Sequence, residues 1–413
     1  MTGAAVALPP LSQVAGALRT TTERLVREIS APAAQAPAWT ELEWDIARAA
    51  SAMHGISSLL CGALRWRGPH GWGQFLREQQ SQSVARHVHI STVLDSIDWH
   101  SRRTGTAFVA LKGAALHAGG FYAAGERPMG DIDLLLLEGD AAAAARVLEA
   151  CGYTTAFSTQ RHQVFRPKLT KVAGAHCFGE HIDNPIKIEL HAKIAEPLPV
   201  MMTDITRFLV PRAVHPGLNA YPSAASLMMH LLLHAAGNIR ARALRFIQLH
   251  DIAQLAVRFN GADWDELLAA RPNERGLWWA SAPLILTARY YPQAIPVQLC
   301  ARLGAECPWL LERRARRQAV TDVSWSNIRI EAFPGVEWSR TPREAVAFMR
   351  SRIWPSREAL SELKEADAQI PNSSTVAWYG ISHGARILRW VFSRPPRVQT
   401  LLSVRAALAH EGR

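Results

Sequence analysis

The sequence of 413 residues lacks any apolar run long enough to cross a membrane. Its longest run, residues 227–236, is broken by His230 and His234 and falls short of the ~20 residues that a transmembrane helix requires. The start of the chain has no basic segment followed by an apolar one, and Pro9 and Pro10 interrupt it, so a secretory signal is not expected. These two absences predict a cytoplasmic protein without a membrane span.

Cysteine is also sparse, and the chain contains no Cys-x-x-Cys pair. The five cysteines are Cys61, Cys151, Cys177, Cys300 and Cys307. Their odd number and wide spacing argue against a disulfide framework and against a zinc ribbon. We therefore expect buried free thiols in a reducing compartment.

Acidic residues are fewer than basic ones, which gives a formal net charge of +11. This charge favours polyanionic partners, either a nucleoside triphosphate or a nucleic acid. However, the arginines are spread along the chain, and the densest cluster, residues 313–317, falls in a predicted helix without interleaved aromatic residues. Nucleic acid is therefore not expected as a partner.

The pattern of apolar residues divides the chain into three regions. Residues 1–105 and 221–413 show helical periodicity, whereas residues 106–220 contain short apolar runs at 108–111, 132–137, 153–157 and 186–190. Between these runs, residues 140–150 predict a helix that Asp140 caps and Gly152 follows. The expected fold is α+β: a small mixed sheet flanked by helices, followed by a large all-helical C-terminal domain.

Two carboxylates, Asp131 and Asp133, open the second apolar run. Side chains two residues apart in a strand project from the same face, so the two acids should point together. Unpaired, they would repel each other, and a divalent cation such as Mg²⁺ or Mn²⁺ would remove that cost while leaving positions for phosphate oxygens. Neutralising either acid should then leave the stability of the metal-free protein equal or improved. The alternative is a pair of strand-end acids that face solvent.

A phosphate-binding turn is predicted just before this pair. The run at 108–111 leads into Lys112, Gly113 and Ala114 and then a helix expected to continue to Tyr122. Free amides at the start of that helix could hold a triphosphate, and Lys112 or Arg127 could add positive charge. Each of these residues also has an ordinary explanation, as a turn glycine or an exposed charge.

A third acid would complete a site for two metal ions. Alternation in the run at 186–190 places Glu189 and His191 on one face, and we prefer Glu189 over Asp183, which lies in an evident turn. His191 could assist a proton transfer or donate to a backbone group.

The C-terminal region offers candidates for acceptor contacts. His230 and His234 lie one helical turn apart, which indicates a packed or hydrogen-bonded pair rather than a zinc site. Asp251 interrupts an apolar helical stripe and needs a partner, for which His234, Arg245 or a ligand are the alternatives. We expect Asp251 to face the cleft and to influence the choice of acceptor.

Together these motifs resemble a known family. The motifs are Leu-Lys-Gly-Ala-Ala-Leu at 111–116, Tyr122, Arg127, Gly-Asp-Ile-Asp-Leu-Leu at 130–135, Cys-Gly-Tyr at 151–153 and Ile-Glu-Leu-His at 188–191. Over residues 107–194 the chain resembles the poorly characterised bacterial nucleotidyltransferase family of the polymerase-beta-like superfamily. It departs from the usual superfamily signature at Ala114, where a serine or glycine is common, so a hydroxyl that often contacts phosphate is missing. The resemblance includes the histidine-then-aspartate pair in the C-terminal helices.

The leading hypothesis is an enzyme that moves a nucleotidyl group from a nucleoside triphosphate to an acceptor and releases pyrophosphate. Asp131 and Asp133 would hold two ions, and Glu189 would share the ion that activates the acceptor hydroxyl. The acceptor could be a small molecule, a sugar, a peptide or a protein. The alternatives are a non-catalytic nucleotide-binding or scaffold protein with the same fold and a nucleic-acid-binding helical protein.

Overall fold

The computed structural model describes residues 8–138, 140–158, 162–169, 178–199, 201–272, 276–356, 360 and 382–409. Within these ranges, no helix has the length and apolarity that crossing a membrane requires. Cys61, Cys151, Cys300 and Cys307 are free thiols and are partly rather than fully buried. Cys177 lies outside the described residues.

Helices before and between the strands flank the sheet, and helices after the last strand form the C-terminal region. The helices are α1 Leu11–Ser30, α2 Glu41–His54, α3 Ser57–Ala63, α4 His70–Thr104, α5 Lys112–Ala118, α6 Ala141–Ala150, α7 Ala224–Ala241, α8 Phe246–Ala256, α9 Gly261–Ala269, α10 Ser281–Tyr290, α11 Val297–Glu306, α12 Trp309–Ala315, α13 Pro342–Ile353, α14 His383–Ser393 and α15 Val398–Ala409. Short 3₁₀ helices occupy Thr206–Phe208, Trp278–Ala280, Val320–Asp322 and Val336–Trp338.

The strands confirm the expected mixed sheet. They are β1 Ala107–Ala110, β2 Asp131–Glu138, β3 Tyr153–Ser158, β4 His162–Pro167, β5 Lys187–His191, β6 Ala195–Leu198, β7 Met201–Asp204 and β8 Gly217–Asn219. Six of them form one sheet in the order β3-β4-β5-β2-β1-β8, and β6 pairs with β7 in a separate hairpin. In the larger sheet, β2 is parallel to β5 and β1 is parallel to β8, whereas the other neighbours are antiparallel.

Local signals around the sheet account for the ends of α6 and α5. The Asp140 side chain accepts a hydrogen bond from the Ala143 amide, and Gly152 follows α6 with φ +87°, as predicted. Helix α5, in contrast, ends at Ala118 and not at Tyr122. Gly119 and Gly120 follow it, and Gly120 has φ +62°, a conformation that glycine adopts at little cost and that stops a helix.

Two apolar cores lie on opposite sides of the sheet. One contains Ile132 and Ile188 together with side chains from α4 and α6. The other combines Leu25 of α1, Val109 of β1 and Leu232 of α7, so side chains from all three regions of the sequence share it. The boundaries of the three regions as domains stay a prediction.

A buried histidine joins α2 to the start of α8. His54 accepts a hydrogen bond at Nδ1 from the Phe246 amide, and its Nε2 lies 2.9 Å from Ser326 Oγ. Burial and the charge of Arg245 lower the pKa of His54 to about 3. Because the pKa in the unfolded chain is about 6.5, this histidine stabilises the fold fully above that pH and loses its contribution as pH falls toward 3.

We therefore expect His54 to contribute a slope of about 1.4 kcal/mol per pH unit to the free energy of unfolding between these values. Urea unfolding of wild type and His54→Gln from pH 4 to 7 measures it, because the difference between the two slopes removes the contribution of other groups. The exposed His89 provides a control substitution, His89→Gln. Equal slopes for wild type and His54→Gln would contradict the expectation.

Candidate active site

Parallel pairing of β2 with β5 brings the predicted acids together. Asp131 is opposite Lys187, and Asp133 is opposite Glu189. On the other face of the same strands, Ile132 and Ile188 are fully buried in the core. The alternation predicted from the sequence is therefore confirmed, and Glu189 does not point into the apolar layer.

Asp133 has two protein partners. Its Oδ1 accepts from Lys112 Nζ at 2.8 Å and from His191 Nε2 at 3.0 Å. Burial alone would raise the pKa of Asp133, but the Lys112 ammonium and the His191 ring hold this pKa well below its usual range. Burial also disfavours the Lys112 charge, yet Asp133 and Asp131 offset this and raise the pKa of Lys112. The repulsion expected between the two aspartates is therefore offset at Asp133 by protein partners.

In contrast to Asp133, the carboxyl groups of Asp131 and Glu189 have raised pKa values. Asp131 is exposed on the same face, but the protein atoms around it and the charge of Asp133 raise its pKa. Burial and the charges of Asp133 and Asp131 raise the pKa of Glu189 to about 7. Both carboxylates therefore carry a cost from crowding that a bound cation would relieve.

Donor atoms for a metal ion converge at this point. Among the described residues, Asp133, Glu189 and His191 each offer a ligand atom within 4.8 Å of the others. One of the two roles predicted for His191 was a hydrogen bond to a backbone group. In the structure, His191 contacts carboxylates instead. His162 of β4 was not predicted: its Nε2 lies 4.0 Å from Glu189 Oε2, and β4 aligns it with His191. Strand β4 was not recognised from the sequence, so no sequence signal could have placed His162 beside Glu189.

The predicted phosphate-binding turn has an unusual backbone. Lys112 has φ +45°, a left-handed conformation that non-glycine residues rarely adopt. Its amide donates to Tyr221 Oη at 3.2 Å, and the Ala114 amide donates to the Leu111 carbonyl at 3.0 Å. The expectation of free amides is therefore wrong for Lys112 and Ala114 in this structure. Gly113 is buried, and a Cβ there would lie 2.5 Å from Arg127 Nη1, so glycine allows this arginine to approach the turn.

Asp251 contacts the sheet region rather than its C-terminal neighbours. Its two carboxylate oxygens accept from Arg127 Nε and Nη2, each at 2.7 Å, and Oδ1 also accepts from Tyr122 Oη at 2.7 Å. The side chain is almost fully buried. The predicted hydrogen-bond partners His234 and Arg245 are thus replaced by Arg127 and Tyr122, because α8 packs its Asp251 turn against the loop that follows α5.

The histidines of α7 have separate partners. His230 Nδ1 lies 2.7 Å from Tyr221 Oη, and His234 Nε2 lies 3.3 Å from Asn238 Nδ2. Burial and the charge of Lys112 lower the pKa of His234 to about 3, so the ring is neutral. Hydrogen bonding of both rings agrees with the expectation for this pair, and the charge of Lys112 acts on both of them.

These features define an acidic centre on a mixed sheet, in which the Lys112 ammonium is paired with Asp133 and its charge acts on the histidines of α7. The family model described as "Uncharacterised nucleotidyltransferase" matches residues 40–291, which is more than half of the chain. The chain belongs to this family, and the resemblance to a nucleotidyltransferase family that the motifs predicted is confirmed. No curated protein and no solved structure matches the chain.

Proposed function

We propose that this protein is a metal-dependent enzyme that moves a nucleoside monophosphate group from a nucleoside triphosphate to an acceptor and releases pyrophosphate. The observation that carries the proposal is the parallel pairing of β2 with β5, which aligns Asp133 with Glu189 and leaves Asp131 on the same face. Membership of a nucleotidyltransferase family supports the same chemistry. The acceptor is a small molecule, a sugar, a peptide or a protein.

Magnesium or manganese fits the side chains present. Asp131, Asp133 and Glu189 would hold the ion through carboxylate oxygens, which hard divalent cations prefer. His191 adds a nitrogen donor that a transition-metal ion accepts. When bound, such an ion neutralises phosphate charge and lowers the pKa of an acceptor hydroxyl.

The surrounding residues would bind and orient the nucleotide. Lys112 keeps Asp133 ionised, and its ammonium adds a positive charge beside the acids to that of the metal ion. We assign to Gly113 and Ala114 the role of letting the phosphates approach the backbone closely. Arg127 lies next to Gly113 and would supply positive charge there. Asp251 is better suited to hold Arg127 in place than to contact the acceptor, because both of its oxygens are occupied. His191 and His234 stay candidates for acceptor contacts.

We also place this activity in the cytoplasm. The free thiols of Cys61, Cys151, Cys300 and Cys307 support a reducing compartment.

Label transfer from nucleoside triphosphates tests the proposal. With extracts as the source of acceptor, an α-phosphate label should move to the acceptor in a Mg²⁺-dependent manner, while a γ-phosphate label should appear in pyrophosphate. Transfer of the γ-label would indicate a kinase instead. Metal-dependent binding of nucleotide without any transfer would support the non-catalytic alternative and refute the enzyme.

Glu189→Gln tests the third acid. We expect the transfer rate to fall at least about 100-fold, since loss of residues that merely support a metal ligand already costs 10- to 100-fold. Asp183→Asn is the matched control, because Asp183 is an exposed acid in the turn that precedes β5. Normal transfer by Glu189→Gln together with loss of transfer in Asp183→Asn would show that Asp183, and not Glu189, is the third acid.

A further inference from the structure

Tyr221 connects the end of β8 to the turn that follows β1. Strands β1 and β8 are parallel and pair with a constant offset, so that Val109 is opposite Asn219. Continuing this register places Tyr221 beside the residues that follow β1. There its Oη accepts a hydrogen bond from the Lys112 amide at 3.2 Å, across 109 positions of sequence. The sheet topology therefore brings a tyrosine hydroxyl to the backbone of the predicted phosphate-binding turn.

The backbone of Lys112 needs a partner from outside its own helix. Lys112 is the first residue of α5, and the first amides of a helix have no acceptor within the helix. Its φ of +45° is a conformation that persists in a non-glycine residue only where the surrounding structure holds it. The ammonium of the same residue pairs with Asp133 at 2.8 Å. Since the direction of a side chain depends on its backbone, the contact that fixes the Lys112 backbone also directs its ammonium to Asp133.

His230 of α7 fixes the orientation of the Tyr221 hydroxyl. Its Nδ1 lies 2.7 Å from Tyr221 Oη. Because Oη accepts from the Lys112 amide, the hydroxyl can donate its own proton to Nδ1 if that nitrogen carries none. Burial and the charge of Lys112 lower the pKa of His230 well below its usual value, so the ring is neutral and can accept at Nδ1. The three groups thus form one directed chain, from the Lys112 amide through the Tyr221 hydroxyl to the His230 ring.

We propose that Tyr221 is a positioning residue of the active site: its hydroxyl, supported by His230, holds the turn in the conformation from which the Lys112 ammonium neutralises Asp133. The C-terminal helical region thereby contributes to the electrostatics of a site whose acids lie on the sheet. The hydroxyl, and not the packing of the ring, carries this role, because both contacts are made by Oη. The effect on transfer rests on the proposed function, whereas the effect on Lys112 does not.

Reductive methylation of the full chain, followed by mass spectrometry, measures how readily the Lys112 amine reacts without metal, nucleotide or acceptor. The exposed Lys193 is the internal standard in each sample. We expect Tyr221→Phe, which keeps the ring and removes only the hydroxyl, to speed modification of Lys112 relative to Lys193 roughly 5- to 10-fold, the effect of losing one hydrogen bond. His230→Leu should give a similar increase. His230→Gln should give a smaller one, because its amide oxygen can still accept from Tyr221.

Tyr153→Phe provides the control, because Tyr153 is a buried tyrosine on β3, at the opposite edge of the sheet from β8. It should leave both Lys112 modification and transfer of an α-phosphate label as in wild type, whereas Tyr221→Phe should slow transfer roughly 5- to 10-fold. Equal modification of Lys112 in Tyr221→Phe and wild type would overturn the proposal, and so would faster modification with wild-type transfer. A wild-type protein that transfers no label would instead refute the proposed function, while the modification rates would still decide whether Tyr221 holds Lys112.

Discussion

Asp133→Asn should abolish nucleotidyl transfer and lower the free energy of unfolding of the metal-free protein by about 3 kcal/mol or more. Asp133 is the partner of Lys112, at 2.8 Å, and both side chains are largely removed from solvent. Removing the carboxylate charge leaves the Lys112 ammonium without its hydrogen-bonded partner, and only the charges of Asp131 and Glu189 then compensate it. Loss of one partner of such a pair is far more costly than loss of an exposed one.

Asp131→Asn should also abolish transfer but leave the stability of the metal-free protein equal or improved. The protein around Asp131 and the charge of Asp133 raise its pKa, which means that its ionised form is disfavoured in the folded state. A neutral amide relieves that cost. The sequence alone predicted this sign for both aspartates, and the contact between Lys112 and Asp133 is the reason that they differ.

Urea unfolding in EDTA at pH 7 measures the two stability changes, and transfer of an α-phosphate label measures activity. Asp183→Asn serves as the control for loss of an exposed acid. Stability changes of the same sign for Asp131→Asn and Asp133→Asn would show that Lys112 does not neutralise Asp133 in solution. Retention of transfer by either variant would remove that residue from the catalytic centre.

Asp251→Asn should lower the free energy of unfolding by about 3–5 kcal/mol, because it leaves the Arg127 guanidinium buried without a counter-charge. The same change should reduce transfer, since Arg127 would no longer be held against Gly113. The sequence-based expectation was a selective effect on acceptor use. The structure instead favours a loss of stability accompanied by weaker nucleotide binding.

A double-mutant cycle isolates this pair. We expect Arg127→Met and Asp251→Leu each to be strongly destabilising, and the double variant to recover much of the loss, because two apolar side chains leave no buried charge. Glu312→Gln is the control, since its ion pair with Arg316 is exposed and should contribute less than about 1 kcal/mol. Additive effects of Arg127→Met and Asp251→Leu would contradict the coupling. Nucleotide affinity that is unchanged in Asp251→Asn would rule out its positioning role.

Much of the fold and part of the site were determined by local sequence. Alternation of charged and apolar residues predicted both that Asp131 and Asp133 share a face and that Ile132 and Ile188 lie in the core. The cap at Asp140 and the glycine at Gly152 predicted a helix between them. Such signals depend on the period of a strand or on a single turn of helix, so they can be recognised without knowledge of tertiary contacts.

Tertiary structure alone decided which charges meet. Lys112 pairs with Asp133 across 21 positions of sequence, and Asp251 reaches Arg127 across 124. His162 joined the site because β4, with no clear periodic signal, pairs with β5. Ion pairs form between side chains that are close in space, and neither composition nor periodicity records that distance. The sequence therefore determined the acids and the strands that present them, whereas packing of α8 against the loop that follows α5 decided that Asp251 neutralises Arg127.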